Sequence, residues 1–135
     1  MPIDFLPGAI SDMRALRVSN PKALAVVMAF LEEAEVDDDL IAKWTLADSN
    51  VEIGPFDANV KRWIKGGKFI GNLFRVRVLN TVATSYRIVY GYDWHTQRMA
   101  VLAVLHKDEF DYEIKSELAH RIQNDWDFVT AGRAT

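Results

Sequence analysis

The hydrophobic pattern of the chain changes period along its length. Leu24, Val27, Met28, Leu31 and Ala34 recur three and four apart, which is the spacing of one helix face. Asn20 suits an N-cap and Pro21 the first helical position, where its missing N–H costs nothing, so helix is expected over residues 20–47. The acidic stretch Glu32, Glu33, Glu35, Asp37, Asp38 and Asp39 interrupts the stripe. A second short helix is expected through Leu40, Ile41, Trp44 and Leu46, so the two helices form an αα-hairpin around a solvated acidic connection. The acidic run fits no metal-ligand spacing and lacks the glycine of an EF-hand.

Residues 48–72 show neither period clearly. Asp48-Ser49-Asn50, Gly54-Pro55, Gly66-Gly67 and Gly71 are turn signals, and residues 59–65 fit a short helix or a strand. Gly66-Gly67-Lys68 lacks the full spacing of a phosphate-binding loop and reads as a turn. From Leu73 the period becomes two. Phe74, Val76 and Val78 share one side of a strand and Arg75 and Arg77 the other, while Tyr86, Ile88, Tyr90 and Tyr92 lie opposite Arg87 on the next. Met99–Leu105 is a continuous apolar run, as in the middle of a sheet. Ile114, Leu118 and Ile122 then predict an amphipathic helix over residues 112–125. The expected fold is α+β: an N-terminal helical hairpin packed on one face of a small curved antiparallel sheet, with a C-terminal helix. A chain of 135 residues suits a single domain, 1–135.

The three arginines change what this fold implies. If Phe74, Val76, Val78, Ile88 and the tyrosines face the helices, Arg75, Arg77 and Arg87 share the opposite face. Like charges on neighbouring strands repel, so the arrangement gains only if an anion sits there or if an arginine pairs with a helix glutamate. A guanidinium offers phosphate two parallel hydrogen bonds. Charge along the chain points the same way. The net charge is −3, yet residues 60–92 hold no Asp or Glu and seven basic residues: Lys61, Arg62, Lys65, Lys68, Arg75, Arg77 and Arg87. Such a block focuses a positive field within an acidic chain.

Other chemistries find less support. The chain has no cysteine, which removes disulfides, thiolate nucleophiles and cysteine-ligated metals. His95, His106 and His120 are scattered without the paired spacing of metal ligands, so no metal and no cofactor is expected. Trp44, Trp63, Trp94 and Trp126 suit either base stacking or core packing. No apolar run is long enough to cross a membrane, and Met1–Asp12 lacks the basic start and apolar stretch of a signal peptide, so a cytoplasmic location is expected.

Three runs carry a family resemblance. Asn72-Leu73-Phe74-Arg75-Val76-Arg77, Tyr86-Arg87-Ile88-Val89-Tyr90 and Leu102-Ala103-Val104-Leu105-His106-Lys107 resemble the RelE/ParE superfamily of bacterial toxins. That family shows a basic-x-basic strand, a Tyr-Arg strand, an apolar strand ending in a basic residue, and then a tyrosine. Phe110-Asp111-Tyr112 and the helix with Arg121, Ile122 and Asp125 resemble its closing segment, so the similarity spans residues 20–127. The resemblance implies a toxin of a toxin–antitoxin pair. In the RelE-like branch it implies a ribosome-dependent endoribonuclease that drives an mRNA 2′-hydroxyl onto the adjacent phosphate.

By position, Arg77 and Arg87 would hold the scissile phosphate, Lys107 would neutralise the leaving 5′-oxygen and Tyr112 would activate the 2′-hydroxyl. Lys61, Arg62, Lys65, Lys68 and Arg75 would bind RNA. The implied partners are a cognate antitoxin, mRNA and the ribosome, with no membrane, and a homo-oligomer is compatible with them. The alternative is a non-nuclease binding protein of the same fold, acting on gyrase as ParE-like toxins do or serving as an inactive phage or mobile-element scaffold. The acidic total and Asp108, Glu109 and Asp111 beside Lys107 and Tyr112 weigh toward that alternative.

Overall fold

Asn20 decides where the helical part of the chain turns. Its Oδ1 accepts the amide of Ala23 at 3.2 Å, and Pro21 takes the first helical position after it. The computed structural model describes residues 1–46, 48–62, 72–108 and 117–130. The cap separates α1 (Pro7–Ser19) from α2 (Pro21–Glu35), and α3 (Leu40–Trp44) follows the acidic stretch. The N-terminal hairpin is therefore made by α1 and α2, and the expected second helix is the short α3. α1 buries only Gly8, Ala9 and Leu16, too sparse a set to register as a helical stripe in the sequence. In α2 the stripe holds for Leu24, Val27, Leu31 and Ala34, whereas Met28 is 46% exposed.

Among the described residues one sheet has six strands: β1 (Ile3–Phe5), β2 (Asp48–Ile53), β3 (Phe56–Arg62), β4 (Asn72–Val78), β5 (Tyr86–Asp93) and β6 (Arg98–His106). Their order is β1-β6-β5-β4-β3-β2; β1 runs parallel to β6 and every other neighbour is antiparallel. The expected three-strand meander is β4–β6, and the segment that resisted assignment supplies the β2–β3 hairpin. Gly54 has φ +55° and Pro55 cannot follow it into positive φ, which leaves a two-residue turn of the II′ kind between Ile53 and Phe56.

The two faces of the sheet carry separate cores. On the first, Val60, Phe74, Val76, Ile88, Tyr90 and Val101 pack against α1–α3, with Trp44 stacked near Phe30 and Tyr90. On the second, Leu73, Val89, Leu102 and Leu105 pack against Ala119, Ile122, Trp126 and Val129 of α4 (Glu117–Thr130). Helices thus cover both faces, not one. The apolar run of β6 explains this, because a strand with no polar side needs cover above and below. A register shift beside Val89 and Tyr90 leaves both Leu102 and Ala103 in the second core.

Two carboxylates stitch the layers together. β1 pairs with β6 only as far as Val101, and Asp12 on α1 accepts the Val104 amide beyond it at 3.0 Å. The same carboxylate receives both Arg121 terminal nitrogens, at 3.0 and 2.8 Å. Asp125 accepts the Gly8 amide at 3.2 Å, a cap for α1 that its N-cap residue Leu6 has no side chain to give. Among the described residues no helix is long and apolar enough to cross a membrane.

Candidate functional site

Strand parity and register together assemble the site. Asn59 of β3 stands opposite Asn50 of β2 and Arg77 of β4, and Lys61 stands opposite Asp48 and Arg75. Arg75 in turn stands opposite Val89, which belongs to the second core, and Arg87 stands opposite Leu105, also of that core. Arg75, Arg77, Arg87 and Lys61 therefore share the face that carries α4. Arg77 and Arg87 are each one residue beyond the registered pair Val76–Ile88, so they end the β4–β5 ladder side by side. Among the described residues α4 packs mainly on β5 and β6 and reaches β4 at Leu73.

The arginines differ in what holds them. Arg75 is only 7% exposed, and its Nη1 donates to the Asn59 backbone carbonyl at 3.2 Å and to Asn59 Oδ1 at 2.9 Å. Asn59 Nδ2 donates onward to Asn50 Oδ1 at 2.9 Å, so a polar chain runs across β4, β3 and β2. Arg75 was expected to touch RNA directly; it is instead an internal strut whose partner is an asparagine rather than a helix glutamate. Arg87 Nη1 donates to the carbonyls of Thr84 at 3.0 Å and Tyr86 at 3.3 Å, which turns it back over the β4–β5 connection. Arg77 has no hydrogen-bond or ion-pair partner among the described residues, and its Nε is shielded from solvent without an acceptor. The reason is local. The amide opposite Arg77 is that of Asn59, whose oxygen serves Arg75 and whose nitrogen serves Asn50.

Lys107 follows β6 and is exposed, and its amide donates to Ser85 O at 2.7 Å. That bond extends the β5–β6 pairing past Arg87, so Lys107 stands at the same end of the sheet as the Arg77–Arg87 pair. The Asp108 carboxylate lies 3.3 Å from His106 Nδ1, which also accepts the Asp108 amide at 3.2 Å. Arg62 follows the opposite parity from Lys61, since it pairs with Phe74 of the first core, and so leaves the arginine face. Lys65, Lys68 and Tyr112 lie outside the described residues, as do Trp63, Glu109 and Asp111.

The histidines do not converge. His106 packs edge-to-face on Tyr86, with centroids 5.3 Å apart, on the side of the first core. His95 lies in the turn before β6, about 30 Å away along a nine-residue strand, and His120 is on the exposed side of α4. Trp44 and Trp126 are core residues, and Trp94 is 56% exposed. Among the described residues no group of three metal-ligating side chains comes together.

The acidic residues of the site were not foreseen. Asp48, Glu52 and Asp57 share parity with Lys61 and Asn59, so the face grades from acidic at the β2 edge to basic at β4 and β5. Asn59 and Asn50 were missed because their segment has no clear period; the alternation of Asp57, Asn59 and Lys61 with Ala58 and Val60 was its only signal. What the arrangement brings together is Arg75, Arg77 and Arg87 on one face of β4 and β5, with Lys107 at the same end of the sheet. A scan of protein-family models and searches of curated proteins and solved structures find no match to this chain.

Proposed function

We propose that the arginine face binds the phosphate backbone of RNA and that the protein is a toxin of a bacterial toxin–antitoxin pair, a ribosome-dependent endoribonuclease of the bacterial cytoplasm. Arg77 carries the proposal: a half-buried guanidinium with no hydrogen-bond or ion-pair partner among the described residues, beside a second arginine, is stabilised most by an anion with several acceptor oxygens. Further support comes from the helical hairpin that lies between β1 and the rest of the sheet in the chain and from the three resembling runs, which occupy adjacent strands in register. Arg77 and Arg87 hold the scissile phosphate and stabilise the charge of the phosphorane. Lys107 neutralises the leaving 5′-oxygen, and Tyr112 takes the 2′-hydroxyl proton. A cognate antitoxin with acidic residues then covers the same face in the resting cell.

The acidic edge formed by Asp48, Glu52 and Asp57 favours a second reading, a binding protein of the same fold that recognises a protein such as gyrase. Controlled expression in bacteria separates the two. The nuclease reading expects growth arrest with new mRNA 5′ ends at ribosome positions, relieved by the product of the neighbouring open reading frame. Growth arrest with intact mRNA supports the binding reading. Unimpaired growth removes the nuclease and the gyrase readings and leaves an inactive scaffold of the same fold.

A further inference from the structure

The outer side of the α1–α2 hairpin, away from the arginine face, holds an apolar groove of about 490 Å³. Its floor includes Ile10, Met13, Leu24, Met28 and Leu31. Ile10 is 39% and Met28 46% exposed, so two large apolar side chains face water at the centre of a helix pair. The groove is bordered by two charged stripes of opposite sign. Arg14 and Arg17, three apart on α1, lie toward the Asn20 connection, and Glu32 and Glu35, three apart on α2, lie toward the open end. None of these four side chains has a hydrogen-bond or ion-pair partner among the described residues.

We infer that this groove is a self-association surface whose occupant is a second copy of the chain. The argument is charge complementarity under two-fold symmetry. A two-fold interface must be complementary to itself. Here the basic stripe and the acidic stripe occupy diagonally opposite corners of one apolar patch. A two-fold axis crossing the groove between those corners sets each protomer's Arg14 and Arg17 against its partner's Glu32 and Glu35. It also brings Ile10 and Met28 of both copies out of water. A partner of single-signed charge would leave one corner opposed by like charge or unpaired.

Sedimentation of the full chain with two charge-reversal variants tests the inference. The wild type is expected to sediment as a dimer. The variants Arg14→Glu/Arg17→Glu and Glu32→Arg/Glu35→Arg should each be monomeric, with an unchanged circular dichroism spectrum, because reversal sets like charges against each other at both corners. An equimolar mixture of the two variants should recover the dimer, since every corner then meets its opposite. Because the altered side chains lie on the outer side of the hairpin, arrest of growth by either variant judges the arginine face separately. A monomeric wild type at all soluble concentrations overturns the inference. So do variants that stay dimeric, or a mixture that stays monomeric.

Discussion

Asn59 stands directly opposite Arg77 yet serves Arg75, and this division of labour sets what each arginine does. Arg75→Ala removes a buried donor and leaves the Asn59 oxygen without its partner, at a cost of about 1–3 kcal/mol. Arg77→Ala removes an unsatisfied N–H and a like-charge neighbour of Arg87, so its stability should stay within about 0.5 kcal/mol of wild type or rise slightly. Thermal melts of the two variants check the contrast, and an Arg77→Ala protein that unfolds would show Arg77 to be structural. Tyr90 gives a test from the other side of the sheet. Burial raises its phenol well above the usual value of 10.0, against the opposing charge of Arg75, and its hydroxyl donates to Trp44 O at 2.6 Å. A group kept neutral by folding stabilises the fold fully below its unfolded pKa and loses that contribution as pH rises. Tyrosinate absorbance should therefore show Tyr90 ionising only as the protein unfolds at alkaline pH, and Tyr90→Phe should remove that late step. The parity of Arg75, Arg77 and Arg87 was legible in the sequence because a strand has only two sides. The difference between a bonded Arg75 and an unpartnered Arg77 was not, because it depends on which strand brings Asn59 alongside.

At the scale of elements, α1 and α4 are held to the sheet by a few contacts between distant parts of the chain. Asp12 alone accepts the Val104 amide and both Arg121 nitrogens, so Asp12→Ala should destabilise by about 2–3 kcal/mol, read as a lower denaturation midpoint with an unchanged slope. Gly91 is a second pinning point, since a Cβ there would lie 2.5 Å from the Trp126 ring. Gly91→Ala should push α4 off β5 at a cost of about 1–3 kcal/mol, seen as faster amide exchange in α4 with β2 and β3 unaffected. Equal acceleration throughout would mean that α4 is not a separable cover. The strands β4 and β5 and the helix α2 follow from periodicity, and β6 follows from its unbroken apolar run. β1, α1 and the β2–β3 hairpin do not, because β1 has three residues, α1 buries a sparse set and the hairpin alternates over a surface that is polar on one side. The expectation of helices on one face failed for a related reason. A strand apolar throughout shows that it is covered twice, but not by which element.

For the whole molecule, the net charge of −3 conceals a sheet face that grades from acidic at β2 to basic at β4 and β5. In the proposed reading a polyanion lies on the basic side of this face, and the acidic β2 edge opposes its spread in that direction. Binding on such a face weakens with salt in proportion to the phosphates held, by about 0.7 in the logarithmic slope for each contact to a single strand. RNA binding by Arg77→Ala should therefore show a shallower salt dependence than wild type, checked by titrating a labelled single-stranded RNA at several salt concentrations. An equal slope would place the phosphate contacts elsewhere. The most direct measurement concerns the chemistry itself. Purified protein is added to ribosomes programmed with a defined mRNA, and the termini of any fragments are identified. Attack by a 2′-hydroxyl predicts a 2′,3′-cyclic phosphate on one fragment and a 5′-hydroxyl on the other, with cleavage lost when the nucleotide before the break is 2′-deoxy and when Arg77 is alanine. An mRNA left intact, or one cut equally well by the folded Arg77→Ala protein, would contradict the account.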